Sequence, residues 1–229
     1  MKDPLGDRMK NNYESISKFR LTRRMPVIIR IDGKAFHTYT KGLNKPFDTK
    51  MVEAMQIATK YLCENIQNCV LGYTQSDEIS LLLIDYKKLD TSAWFDNELQ
   101  KIVSVAASMA TMKFNQIMDD RPWATFDARA FNIPREEVCN YFIWRQRDGI
   151  RNALNGYARS IFSARQLLNK NVSEVEDMCY QAGYEYNKLD KNLRLGSIYR
   201  KYGDKFSLNS FIFSEDRAYI DDLLEPEED

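Results

Sequence analysis

The sequence predicts an α+β fold, and three features carry that expectation. A β-branched run at residues 27–31 and two further apolar runs at 69–74 and 79–85 have strand character. Residues 48–66 place Val52, Met55, Thr59, Leu62 and Ile66 on one helical face, and 97–118 is a long apolar-rich segment of strong helix formers. Only Gln75-Ser76-Asp77-Glu78 separates the second and third strand runs, which leaves room for nothing but a hairpin turn.

In order, residues 5–24 are polar and basic with spaced apolar positions (Leu5, Met9, Tyr13, Ile16, Phe19), a peripheral helix ended by Met25-Pro26. The strand 27–31 closes on Asp32-Gly33. Asp48 or Thr49 can cap the helix that follows, because either side chain can accept from an orphan amide of the first turn. After the hairpin and the long helix, residues 123–131 return to strand character. The core order is therefore β-α-β-β-α-β, that of the ferredoxin-like split fold, in which the third strand lies between the first and second and runs antiparallel to both. Beyond it, residues 135–168 read as helical with an interruption near 149–156. Ser173 and Glu176 form a capping box for another helix, and residues 196–202 and 206–213 read as a C-terminal hairpin.

The chain has 229 residues, 44% hydrophobic and 29% charged, with nine Gly and six Pro, so it is long enough for a real core and is not disordered, collagenous or low-complexity. Its longest charge-free apolar stretch, residues 102–112, is far short of the ~20 residues that a membrane helix needs. The first residues have no signal-peptide core, so a reducing, cytoplasmic setting is expected, with Cys63, Cys69, Cys139 and Cys179 as buried thiols. His37 is the only histidine and there is no C-x-x-C, which removes zinc fingers, H-E-x-x-H proteases and Cys/His clusters; a bound metal would take oxygen ligands.

A formal net charge of zero hides an asymmetry. Eight acidic residues against Arg217 give residues 215–229 a charge of −7 and leave +7 on residues 1–214. Ten Lys/Arg against two acids at 8–45, and eight against three at 129–170, are either solvated faces or surfaces for a phosphate backbone.

The predicted topology brings the end of the first strand and the turn between the second and third to one sheet edge, so Asp32 and Asp77, with Glu78, converge. Taken alone, Asp32-Gly33 is an ordinary turn. Two convergent carboxylates beside a basic surface read instead as a Mg²⁺ site, because that ion keeps several waters and takes further oxygens from substrate phosphates. With no P-loop or G-x-G-x-x-G in the sequence, phosphates would be held by metal, by amides after Gly33 and by basic side chains.

The motifs Arg30-Ile-Asp-Gly-Lys-Ala-Phe-His37, Asn44-Lys-Pro-Phe-Asp48, Gly72-Tyr-Thr-Gln-Ser-Asp-Glu78, Phe126-Asp-Ala-Arg129 and Trp144-Arg-Gln-Arg-Asp148 with Arg151-Asn152 resemble, in order, those of the tRNA(His) guanylyltransferase family. The resemblance implies a polymerase-type palm core at about 27–131, a helical RNA- and nucleotide-binding part at about 135–190, one catalytic domain over 1–214, and the acidic tail beyond. It implies two Mg²⁺ ions on Asp32, the Gly33 carbonyl and Asp77, with Glu78 supporting catalysis. Nucleoside triphosphates (GTP, ATP and others) would meet Asp32, Gly33, Lys34, Ala35, Phe36, His37, Lys45, Ser76 and Asp77. Read without the resemblance, His37 is a loop or core residue and Lys45 a solvated one. Arg129, Arg145, Gln146, Asp148, Arg151 and Asn152 match positions near RNA or a second nucleotide, or else form an exposed face.

The implied activity is nucleotide addition to the 5′ end of tRNA by a homo-oligomer, a tetramer built from dimers. Where single-G-adding eukaryotic enzymes carry His-Ile-Asn-Asn-Leu-Tyr-Asn, this chain reads Ile150-Arg-Asn-Ala-Leu-Asn-Gly156. That resembles the branch implied to repair 5′-truncated tRNA on a template; addition of one G to tRNA(His) is the alternative. Nucleotide cyclases share the palm, and RNA-recognition modules share the element order. The cyclase reading leaves the basic helices without a purpose, and residues 79–84 offer a module no aromatic for base stacking.

Overall fold

In the computed structural model, which describes residues 3–226, the N-terminal helix α1 (Pro4–Met9) continues as single turns through Ser17 and then leaves helical geometry. The expected helix to residue 24 is thus shorter. Leu5, Met9, Tyr13 and Ile16 have no core beneath them and stay exposed. Residues 18–21 instead run extended: Leu21 donates to the Asn97 carbonyl and accepts no helical bond, while the Leu99 amide donates to Phe19.

Strand β1 (Val27–Gly33) leads through the short helix α2 (Phe36–Tyr39) to α3 (Thr49–Asn65), whose N-cap is Asp48, accepting from the Met51 amide. Strands β2 (Cys69–Gln75) and β3 (Glu78–Leu83) form the hairpin; α4 (Leu99–Ile117) and β4 (Phe126–Asn132) complete the β-α-β-β-α-β core. Next come α5 (Arg135–Arg159), α6 (Ala164–Leu167), α7 (Val172–Gln181) and α8 (Lys191–Leu195). Strands β5 (Ser197–Tyr202) and β6 (Lys205–Asn209) and helix α9 (Ala218–Asp221) end the described chain. The six strands lie in the order β4-β1-β3-β2-β5-β6, every neighbouring pair antiparallel. As expected, β3 sits between β1 and β2, and the C-terminal hairpin extends the sheet beyond β2.

Alternation along β1 builds two layers. Val27, Ile29 and Ile31 face α3 and α4 with Met55, Leu62, Ile102 and Phe114, all buried. Ile28 faces the other side with Tyr73, Leu82, Phe142 and Phe213 under α5. Ile220, Leu223 and Leu224 belong to this second layer, so the acidic segment is packed against α5 as far as it is described; Glu227, Glu228 and Asp229 lie outside the described residues.

Helix α5 has no interruption at 149–156. Gly149 is a contact point, since a Cβ there would come within 2.5 Å of Gln75 Cγ and 3.2 Å of the Tyr73 hydroxyl oxygen. The capping box is displaced by two residues: Asn171 accepts from the Glu174 amide at 3.0 Å and Glu174 accepts from the Asn171 amide at 2.9 Å. The second hairpin strand ends at Asn209, because the following residues leave the sheet to insert Phe213 into the core. All four cysteines are buried free thiols, and no helix among the described residues is long and apolar enough to cross a membrane.

Candidate active site

The β2–β3 turn consists of Ser76 and Asp77, with Ser76 in the left-handed region at φ 57°. It is tied to β1 by the Gly33 amide, which donates to the Asp77 carbonyl at 3.1 Å, and Asp32 is the register partner of Glu78. The convergence expected from topology is therefore built in backbone hydrogen bonds. Gly33 carries the next turn: a Cβ on it would lie 2.2 Å from the Phe36 ring, which folds back over that position after Ala35 at φ 55°. Phe36 is buried against Phe114 and Phe126 with ring centroids 5.5 and 5.1 Å away, so its side chain anchors the loop from the core side.

The three carboxylates are treated differently. Glu78 accepts two bonds from Arg145, Nε and Nη2 each at 2.7 Å, and forms an ion pair with Arg30 Nη2 at 2.6 Å. The same Arg30 nitrogen reaches Asp32 at 3.3 Å, and Arg145 continues to Asp148 at 3.1 Å, which also pairs with Arg151. Guanidinium forks hold a carboxylate in a fixed plane, so Glu78 is the strut of an ion chain running from β1 to α5. Asp77 has no cationic partner among the described residues: its carboxylate accepts from the Ser76 hydroxyl, at 3.0 Å, and from its own backbone amide. Burial pushes its carboxyl above the usual range; the Ser76 bond opposes that shift and the charge of Asp32 adds to it. A partly buried carboxylate without a cation, facing a second carboxylate, is a donor set that a hard divalent ion relieves. Among the described residues no three His, Cys, Asp or Glu side chains converge as a metal site. The edge therefore offers a cation two carboxylates and backbone oxygen, a partial shell of the kind Mg²⁺ completes with water and phosphate.

Two cavities of about 220 Å³ each flank this edge and share Gln75, Ser76, Gly149 and Asn152. The first is lined by Asp32, Asp77, Glu78, Arg145 and Asp148; the second runs under α3 and past α8, between Asn44, Lys45, Phe47, Gln56 and Asn192. Of the residues singled out in the sequence, these cavities bring together Asp32, Ser76, Asp77, Glu78, Arg145, Asp148, Asn152 and Lys45. Lys34, Ala35 and His37 are exposed on the loop and helix after Gly33, His37 being neither core nor loop but on α2. Arg129 is exposed on β4, the register partner of Arg30, with Asp127 at 3.6 Å.

Arg145 and Gln146 do not sit on an exposed face: they retain 8% and 2% exposure because α5 is covered on both sides. Gln146 donates to the carbonyls of Leu195 at 3.2 Å and Phe211 at 2.8 Å and accepts from the Phe213 amide at 2.8 Å, joining α5 to the C-terminal segment. Arg151 is exposed beside Asp148. Sequence reading did not single out Arg30 as a site residue, although strand alternation puts residue 30 on the face of residue 32. It also passed over Gln56, Asn192 and Ser197, for which no local signal exists: Gln56 meets Ser197 at 2.8 Å across 141 positions.

A protein-family profile described as tRNA(His) guanylyltransferase matches residues 6–134. A bacterial tRNA(His) guanylyltransferase-like protein solved in complex with ATP is 45% identical with a TM-score of 0.91, over 96% of this chain and 99% of that one. Another such bacterial structure, in complex with GTP, is 42% identical with a TM-score of 0.81, over 97% and 99%. Among curated proteins, the tRNA(His) guanylyltransferase of Schizosaccharomyces pombe is 32% identical over 216 residues, 83% of this chain and 80% of its own.

Proposed function

Because this chain belongs to the tRNA(His) guanylyltransferase family, and is thus a nucleotidyltransferase, we propose that it extends the 5′ end of tRNA in the 3′–5′ direction and repairs 5′-truncated tRNA on a template. The observation that carries the reading is the Asp32–Asp77 edge, two carboxylates from neighbouring strand ends with two cavities against them. Asp32, the Gly33 carbonyl and Asp77 would hold two Mg²⁺. Bound there, the ions supply neutralisation of triphosphate charge and a lower cost for an attacking oxyanion. ATP or GTP first activates the RNA: an oxygen of the 5′-monophosphate attacks the α-phosphorus of the triphosphate, and pyrophosphate leaves. The 3′-hydroxyl of the incoming nucleotide then attacks the terminal 5′-phosphorus, and the nucleoside monophosphate leaves.

This chain's side chains position those groups. Amides after Gly33, with Lys34 and His37 outside them, face phosphate; the Ser76 hydroxyl and Lys45 flank the cavities; Arg30 and Arg145 hold Glu78 so that it steadies the turn carrying Asp77. Arg129, Arg151 and Asn152 lie where RNA or a second nucleotide would approach. The core at 27–131 and the helical part at 135–190 would work as one cytoplasmic catalytic unit, in a homo-oligomer whose contacts use the exposed Leu5, Met9, Tyr13 and Ile16.

Template repair is supported by the sequence at 150–156 and by the bacterial likenesses. Addition of a single G to tRNA(His) is the second reading, favoured by the curated relatives' names. Incubation with labelled GTP and ATP and a tRNA lacking its first nucleotide tests the class: label should enter RNA in a Mg²⁺-dependent way, and a cyclic nucleotide or binding alone would refute it.

A further inference from the structure

Trp123 is the most exposed large apolar side chain in the described structure, at 85%. Its indole makes no hydrogen bond or ring contact among the described residues. The loop that presents it is tied down by hydrogen bonds on both sides. Ala124 exchanges two bonds of 2.8 Å with the Asn115 side chain. On the other side, Arg121 donates to the carbonyls of Tyr39 at 2.8 Å and Lys41 at 2.9 Å.

The loop also belongs to the catalytic edge. Thr125 accepts from the Lys34 amide at 2.9 Å, and Phe126 is the register partner of Gly33. Trp123 lies three residues before Phe126, within about 11 Å of chain reach. Strand order puts it on the β4 flank of Asp32, opposite the β2 flank where Ser76, Gln75 and Gly149 border both cavities. Two substrates meet at Asp32 and Asp77; the cavities, both lined by Asn152, have room for a nucleotide, and the β4 flank, which carries the exposed Arg129, is open to the RNA.

We propose that Trp123 is a stacking platform for the terminal base or base pair at the 5′ end of the RNA acceptor, a binding residue for the second substrate. This rests on the nucleotidyltransferase reading above. The surroundings favour a nucleobase over a protein partner: Arg121 and Pro122 precede Trp123 in the loop, Thr125 follows two residues on and its carbonyl accepts from the Lys34 amide, and a lone aromatic in a polar and charged segment suits base stacking, whereas protein interfaces present a contiguous apolar core.

The test uses the full chain and its W123F and W123A variants with a blunt-ended RNA stem bearing a 5′-monophosphate. RNA should quench the tryptophan emission of the parent, and the quench should be largely absent in W123F, in which only Trp94 and Trp144 remain. W123A should raise KM for the RNA roughly tenfold, with kcat and KM for ATP within twofold and W123F intermediate. Equal quenching in parent and W123F, or an unchanged KM for RNA in W123A, would overturn the proposal. A change in sedimentation of W123A would also overturn it, assigning Trp123 to a contact between copies of the chain. Since quenching reads binding alone, it decides the role of Trp123 even if no nucleotide is transferred and the wider reading fails.

Discussion

Asp77 concentrates the chemistry in one carboxyl group whose charge the fold does not balance. Its folded-state pKa lies above the ordinary value, through burial first and the neighbouring Asp32 next. A raised acid pKa means that the charged form costs native stability. The cost is absent below the unfolded value near 3.9 and complete above the raised one. In EDTA at pH 7, Asp77→Asn should therefore raise Tm, by about 2 °C, and the gain should fade as pH falls through that window. Saturating Mg²⁺ should erase the difference by stabilising the parent alone; a lower Tm for the variant in EDTA would contradict this account. In activity, Asp32→Ala and Asp77→Ala should each fall below about a tenth of the parent rate at saturating Mg²⁺. The double variant should be no worse than either single one, because both residues serve one unit. Retention of more than that rate by either single variant would refute the shared role.

At the scale of elements, Gly149 shows how α5 is seated against the hairpin. Gly149→Ala would drive a methyl into the Gln75 side chain, 2.5 Å away, and should cost about 1–3 kcal/mol, read as a fall in Tm. Gly156 lies in the same helix with nothing within 4 Å of its missing Cβ, so Gly156→Ala should stabilise by about 0.5–1 kcal/mol. Equal effects of the two changes would mean that packing against β2 does not set this position. These glycines also mark where sequence reading reached its limit. The β-α-β-β-α-β order was legible because apolar periodicity and one short turn are local properties, and the order alone brought Asp32 to Asp77. Gly149 was misread as a helix break because its contact partners, Gln75 and Tyr73, are more than seventy positions away. Arg145 and Gln146 read equally as surface residues, since a polar side chain's burial depends on Glu78, Leu195 and Phe211, none of which a local pattern can supply.

For the whole molecule, +7 on residues 1–214 and −7 on 215–229 coexist in one chain, and the described part of the acidic segment packs beside α5, away from the catalytic turn. If phosphate contacts supply most of the RNA affinity, log Kd should rise steeply and linearly with log salt; Arg151→Ala should weaken binding alike across tRNA sequences. A flat salt dependence would remove the basic surfaces from the account. The selection of the incoming base belongs to this scale too, because neither cavity explains a choice that the opposing RNA strand can make by pairing. The most direct measurement is incorporation into a tRNA lacking its first nucleotide, with the base opposite the gap varied. Template repair predicts G opposite C, a switch to C opposite G, and no addition once the stem is fully paired. Addition of G whatever base lies opposite, confined to tRNA with a histidine anticodon, would contradict it.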